Sequence, residues 1–225
     1  MIRRDYILRM IEECIRALAS LDLLKRGRRW DEASEELDAE FKKLFGDDVQ
    51  TLARLSENEL LARLMRDGPT YALRDKTLIL ATYLKEAGDL AVAENRTEAG
   101  RECYLKALHL LLHTMGQDEP SECPEFVPKV ELLREMLQET ALPARTQAML
   151  MQHYERTGEF AKAEDMLFAL LGTEPDNDAI ADFGVEFYQR LLAQSDTALS
   201  SGKLPRSEVE EGLKTLQARR KSGAN

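Results

Sequence analysis

The sequence lacks the segments and motifs by which membrane proteins, secreted proteins and many enzymes are recognised. No apolar run approaches the ~20 residues that a membrane span needs. Glu12 and Glu13 interrupt the first helix where a signal peptide needs an uncharged core. The sequence has no phosphate loop, no quartet of metal ligands and no nucleophile motif. We therefore expect a cytoplasmic protein without a cofactor that is not an enzyme.

The sequence also contains few cysteines, and its net charge is negative. The three cysteines are an odd number at wide spacing, which fits reduced thiols. The formal net charge is -10, which opposes nonspecific attraction to nucleic acid or to an anionic membrane. We expect neither as a partner. Because no Gly/Ser-rich or charge-rich linker divides the 225 residues, we expect a single domain over 1–225.

Apolar residues at helical spacing dominate what is present, and no segment shows a strand pattern. Residues 144–177 read as one helix-turn-helix unit of about 34 residues, the period of a helical repeat. Leu150 and Tyr154 lie four apart on one face of its first helix. Pro143 suits the first turn of that helix. Gly158 predicts its end, because glycine adopts the left-handed conformation at almost no cost.

The unit resembles the tetratricopeptide repeat. The repeat's Leu, Tyr, Gly, aromatic, small and terminal Pro positions correspond to Leu150, Tyr154, Gly158, Phe160, Ala163 and Pro175. The sequence departs from the repeat at Met151 and Leu170, where the repeat has a small residue and Ala, so we expect looser or shifted packing at both. The resemblance implies an all-α, TPR-like α-solenoid, in which antiparallel helix pairs form a right-handed stack.

Two other segments are less complete copies of this unit. Residues 81–114 match the repeat at its Gly, small, aromatic and Ala positions. The matching residues are Gly88, Gly100, Tyr104 and Ala107. The turn of this unit lacks glycine, which predicts that its first helix is extended. Residues 3–46 join two apolar helices through a turn that Gly27 marks. The apolar stripe of the first helix consists of Ile7, Met10, Ile11, Cys14, Leu18 and Leu21.

A short helix is expected between the first two units. Ser56 with Glu59 form a capping box, in which side chains satisfy free N–H groups at a helix start. Gly68 and Pro69 are expected to close this helix.

Three further helices are expected outside the units. A helix at 129–140 follows a loop with three prolines, and a helix at about 178–194 covers the open end of the stack. The last helix, at about 207–220, is expected to begin with a second capping box of Ser207 and Glu210.

The whole chain resembles an uncharacterised family of bacterial helical-repeat proteins. The resemblance rests on the start MIRRDYILRMIEE, on YERTGEFAKAEDMLFALL in the second half, and on LLAQSDTALSSGKLPRSEVEEGL near the end. This family implies a fold but no catalytic residues.

Two features allow more specific functional interpretations. His109 and His113 are four apart and share a helical face, as paired metal ligands would, with His153 or a carboxylate to complete a site. Packing or surface histidines are the alternative. The basic run 25–29 could bind an anion or an acidic peptide, or it could be a solvated turn.

The leading hypothesis is a protein-interaction module that binds a peptide or a partner protein on its concave helical face. The candidate residues on that face are Arg145, Gln152, Glu155 and Arg156. One alternative is a self-associating structural protein that forms a homodimer through an open apolar end or the last helix. Another is an enzyme or small-ligand sensor that uses carboxylates such as Glu94 and Glu98, or the histidine pair.

Overall fold

A computed structural model describes residues 2–66, 70–117, 123–138, 140–175 and 177–223. Over these residues the fold is all-helical, with no strand. It divides into two compact units, Met1–Thr140 and Ala141–Asn225. The helices of the first unit are α1 Ile2–Arg26, α2 Trp30–Phe45, α3 Val49–Arg54, α4 Glu57–Arg66, α5 Leu73–Ala93, α6 Thr97–Gln117 and α7 Val130–Met136, with a 3-10 turn at Thr70–Ala72. Those of the second are α8 Ala144–Thr157, α9 Phe160–Thr173, α10 Asp178–Leu192, α11 Asp196–Ser201 and α12 Arg206–Gly223.

The first unit is organised around the antiparallel pair α5 and α6, against which α1, α2, α4 and α7 pack. Gly88 lies directly under the ring of Tyr104, so that a Cβ there would collide with the ring. A Cβ at Gly100 would lie 3.0 Å from the carbonyl oxygen of Gly88. These two glycines let α5 and α6 approach closely. The segments predicted as repeat-like units, 3–46 and 81–114, contain the contacting helix pairs α1 with α2 and α5 with α6, and their repeat character stays a prediction.

Both hairpin turns of the first unit use a residue other than glycine in the left-handed conformation. Arg28, with φ 55°, reverses the chain between α1 and α2, and Asn95, with φ 62°, does so between α5 and α6. Gly27 lies in the first turn, as predicted, and the left-handed residue of that turn is Arg28. The extension of α5 past Gly88 to Ala93 is confirmed.

The second unit contains the predicted complete hairpin, α8 and α9, and the pair α10 and α12. Gly158 ends α8 in the left-handed conformation, with φ 77°, as predicted. Pro143 lies at the N-cap, one residue before the first helical turn that the sequence suggested. Met151 and Leu170 are both buried, so this hairpin accommodates side chains larger than those of the repeat it resembles.

Helix starts agree with the sequence at one capping box and not at the other. At the start of α4, the Ser56 N–H donates to Glu59 at 2.8 Å, and the Glu59 N–H donates to the Ser56 hydroxyl at 3.3 Å. The second box is wrong because α12 begins at Arg206, which places Ser207 inside the helix. Helix α7 is shorter than the predicted 129–140. Gly68 and Pro69 lie outside the described residues.

Two helices of six residues, α3 and α11, were not predicted. Each begins at a capping side chain: Asp48 accepts from the Thr51 N–H at 2.8 Å, and Ser195 accepts from the Ala198 N–H at 3.2 Å. Neither helix, nor any other in the described part of the chain, is both long and apolar enough to cross a membrane. The single-domain organisation stays a prediction.

Candidate functional site

Helix α1 carries apolar side chains on more of its circumference than the core uses. Met10, Cys14, Ala17 and Leu21 are buried and form its core-facing side. A second row follows the helix beside them: Leu8, Ile11, Ile15 and Leu18, which we call the outer stripe. Within it, Leu8 is 48% exposed and Ile15 is 50% exposed, while Ile11 and Leu18 are half-buried. The outer stripe is a continuous apolar surface about two to three helical turns long.

The polar face predicted on α8 is present, and one of its four residues, Glu155, binds a side chain of α10. Arg145, Gln152 and Arg156 are exposed. The Glu155 carboxylate accepts from the Arg190 guanidinium of α10 at 2.6 and 2.8 Å, a two-point ion pair. This ion pair raises the pKa of Arg190. Glu155 therefore joins α8 to α10, and partner binding by the other three residues stays a prediction.

The three histidines lie in two different units. His109 and His153 are buried, and His113 is half-buried. His109 and His113 belong to α6 of the first unit, and His153 to α8 of the second. Within the described ranges, no group of three or more His, Cys, Asp or Glu side chains is arranged to hold a metal ion.

The basic turn pairs with carboxylates of its own unit. Arg26 forms an ion pair with Asp22 at 2.9 Å, and the Arg29 Nε donates to Glu32 at 2.6 Å. Lys25 reaches away from the turn and binds two carboxylates of α5. Three cations of the predicted anion-binding run thus have acidic partners.

Lys25 belongs to a half-buried ionic cluster that links α1, α5 and α6. Its ammonium donates to Glu86 at 2.5 Å and to Asp89 at 2.8 Å. Lys85 donates to the same two carboxylates at 3.0 and 2.9 Å. The Tyr104 hydroxyl donates to the other oxygen of Asp89 at 3.1 Å. The cluster balances two positive charges against two negative ones.

The cluster shifts the pKa values of its members in the directions that keep them charged. Burial alone would raise the pKa of Asp89, but hydrogen bonds from Lys25 and Lys85 outweigh burial and hold it below its ordinary value. Burial likewise would lower the pKa of Lys25 and of Lys85, and their carboxylate partners raise both. The ion pairs thus keep both lysines and Asp89 in their charged forms at neutral pH. Such a cluster stabilises the packing of the helices.

The remaining titratable candidates are also engaged within the protein. Glu94 accepts from Ser34 at 3.3 Å and from the Arg96 Nε at 2.9 Å, and Glu98 accepts from Arg101 at 2.7 Å. These contacts do not place Glu94 and Glu98 in the distinct environments that an acid and a base need.

Two of the three free cysteines are buried, Cys14 and Cys103, and Cys123 is half-buried. Burial raises the pKa of both the Cys14 and the Cys103 thiol to about 11. Both are therefore protonated at neutral pH, and neither is an activated nucleophile.

A half-buried carboxylate, Glu164, lies in the other unit. The Tyr188 hydroxyl donates to Glu164 at 2.5 Å. Burial raises the pKa of Glu164, and the bond from Tyr188 offsets only part of that rise. No lysine or arginine lowers the pKa of Glu164, whereas two lysines lower that of Asp89.

Sequence reasoning missed the outer stripe of α1 and the ionic cluster. The stripe had a readable signal, because Leu8, Ile11, Ile15 and Leu18 alternate spacings of three and four beside the core stripe. The cluster had none, since Lys25 and its partners on α5 are about sixty residues apart in the sequence.

The described residues form an all-α protein in which the ionic cluster around Lys25 is paired internally and α1 presents an apolar surface. Residues 1–221 match the model of a family of unknown function, DUF6483. The chain belongs to this family, and the match covers both compact units. Neither the curated proteins nor the solved structures contain a match to the chain.

Proposed function

We propose that this protein is a non-catalytic protein-interaction module. The observation that carries the proposal is the outer stripe of α1, where Leu8 and Ile15 are half exposed on a helix whose neighbouring face is packed in the core. An exposed apolar row along a regular helix is the surface that binds another helix or an apolar groove.

The exposed part of the stripe is large enough to matter for binding. Full burial of a Leu or Ile side chain contributes about 1.5–3 kcal/mol. Leu8 and Ile15 each leave about half of the side chain to bury, so each contributes roughly 1 kcal/mol on binding. Ile11 and Leu18 add smaller amounts. The total supports a moderate affinity, and polar contacts at the rim would set specificity.

The arrangement of titratable groups supports a non-catalytic function. The half-buried carboxylates Glu86 and Asp89 are neutralised by two lysines, and Glu155 is bound by Arg190. Catalysis by a carboxylate needs a pKa moved toward the working pH, whereas the pKa of Asp89 is moved away from it. The cluster of Lys25, Lys85, Glu86 and Asp89 therefore supports a structural role for these charges.

The TPR-like arrangement and the cytoplasmic location expected from the sequence are parts of this proposal. The hairpin of α8 and α9 supports the TPR-like arrangement. Gly158 is left-handed, and the residues at the matched positions Tyr154, Phe160 and Ala163 are buried. In repeats of this kind the first helices face a bound partner. The exposed Arg145, Gln152 and Arg156 of α8 are accordingly a second candidate surface.

Site-specific photocrosslinking in cells tests the proposal. A photoreactive amino acid at position 15 samples the outer stripe, one at position 152 samples α8, and one at position 168 is the control. Phe168 is exposed to the same extent as Ile15, 50%, but belongs to α9. We expect a discrete crosslinked product from position 15 and none from position 168. The absence of any product from both positions 15 and 152 would refute the interaction module.

A further inference from the structure

We infer that the occupant of the outer stripe is the outer stripe of a second copy, with the two α1 helices antiparallel about a two-fold axis. The inference rests on the proposed function, because it names the partner of the surface described there. It is carried by the spacing, the exposure and the charge of residues on α1.

The spacing of the stripe is symmetric along the helix. Leu8, Ile11, Ile15 and Leu18 are separated by three, four and three residues, the pattern of a helix-pairing seam. An antiparallel pair centred near Glu13 places Leu8 opposite Leu18 of the other copy, and Ile11 opposite Ile15. Every apolar residue of the seam then faces an apolar residue, and the same surface serves both copies, as a two-fold interface requires.

The exposure of the stripe leaves room for a second helix. At 100° per residue, the stripe is centred roughly 110° around α1 from the core-facing row. Exposure increases with distance from that row, since Leu18 and Ile11 are half-buried while Ile15 and Leu8 are about half exposed. A helix can therefore lie beside α1 without displacing α2 or α5 from the core side.

The charge of Asp22 distinguishes a parallel from an antiparallel pair of α1 helices. The seam continues with the same spacing to Asp22, whose side chain is 51% exposed. A parallel pair would place Asp22 against Asp22, and two like charges at a seam position are unfavourable. In the antiparallel pair, the two Asp22 side chains lie at opposite ends of the seam, so this like-charge contact does not arise.

Disulfide crosslinking between two variants that each carry one added cysteine on α1 tests the register. The background is Cys123→Ser, because Cys14 and Cys103 are buried with raised pKa values. Leu8→Cys protein is mixed with Leu18→Cys protein, and each is also oxidised alone. A disulfide needs Cα atoms about 4.4–6.8 Å apart. In the proposed register only the mixture satisfies this, since two copies of position 8 are displaced by ten residues, about 15 Å.

Oligomeric state in solution supplies the second readout. Sedimentation of the intact chain is expected to show a monomer–dimer equilibrium. Ile15→Glu is expected to reduce the association constant roughly a hundredfold, because each dimer contains the substitution twice. Phe168→Glu, with the same exposure on α9, is the control and leaves the equilibrium unchanged. Circular dichroism of each variant verifies that it is folded.

The outcomes separate this inference from the proposed function. A disulfide specific to the mixture, together with a dimer sensitive to Ile15→Glu, supports the antiparallel pair. A monomer at all concentrations, a dimer insensitive to Ile15→Glu, or equal crosslinking of each protein alone overturns it. If position 15 still crosslinks in cells to a protein of different mass, the interaction module stands and only the identity of its partner is wrong.

Discussion

Substitution of Gly88 by Ala tests whether the contact between α5 and α6 depends on the missing side chain. The new Cβ would collide with the Tyr104 ring, and overpacking of this kind costs about 1–3 kcal/mol. If the ring moves, the hydrogen bond of its hydroxyl to Asp89 at 3.1 Å is also lost, which costs about 1–3 kcal/mol. The higher helix propensity of Ala returns at most about 1 kcal/mol. We expect a net destabilisation of about 2–4 kcal/mol.

Urea denaturation followed by circular dichroism measures this free energy of unfolding. Gly116→Ala on α6 is the matched control, because a Cβ there meets nothing within 4 Å. That variant is expected to be slightly more stable than the natural chain, by up to about 1 kcal/mol. In a Tyr104→Ala background, Gly88→Ala should cost nothing. A Gly88→Ala protein as stable as the Gly116→Ala protein would refute the close-packing argument.

Three further predictions concern titratable side chains. Asp89→Asn should lower stability at pH 7 by about 1–3 kcal/mol. The deficit should shrink below pH 4, because the Asp89 pKa is depressed from 3.8 and its contribution is lost as pH falls through the folded-state value. Glu164→Gln should leave stability at pH 7 unchanged or higher, because burial raises the Glu164 pKa while Gln still accepts from Tyr188; a clear loss in urea denaturation would contradict this. A thiol reagent should modify only Cys123 in the folded protein and all three cysteines after unfolding, and Cys123→Ser should abolish the native-state reaction.

The hairpins could be predicted because their signals are local. Glycine, proline and apolar spacing within about 34 residues define α8 and α9, and the same signals identify α5 with α6. Helices α3 and α11 were not predicted, because six residues are too few to show the spacing of apolar residues that marks a helix. Their caps were nevertheless readable, since Asp48 and Ser195 each accept from a backbone N–H three residues later.

Turns and sites were harder to predict for two different physical reasons. A search for glycine finds Gly158 but misses Arg28 and Asn95, because both adopt the left-handed conformation without being glycine. Asn adopts this conformation more readily than most residues, whereas Arg28 carries no such local signal. The ionic cluster joins Lys25 to Asp89 across helices, a distance that no local pattern encodes. The exposure of Ile15 likewise depends on where α2 and α5 leave α1 uncovered.

The rate of folding is expected to depend on how far apart in the sequence the contacting helices are. Helices α1 and α2, α5 and α6, and α8 and α9 are each neighbours in the chain as well as in space. Chains in which most contacts join nearby residues close short loops and fold in microseconds to milliseconds. Each of these hairpins can form as soon as its second helix is available, without waiting for distant segments. We therefore expect the contact of α1 with α5, which spans the whole α2–α4 segment, to form after the hairpins it joins.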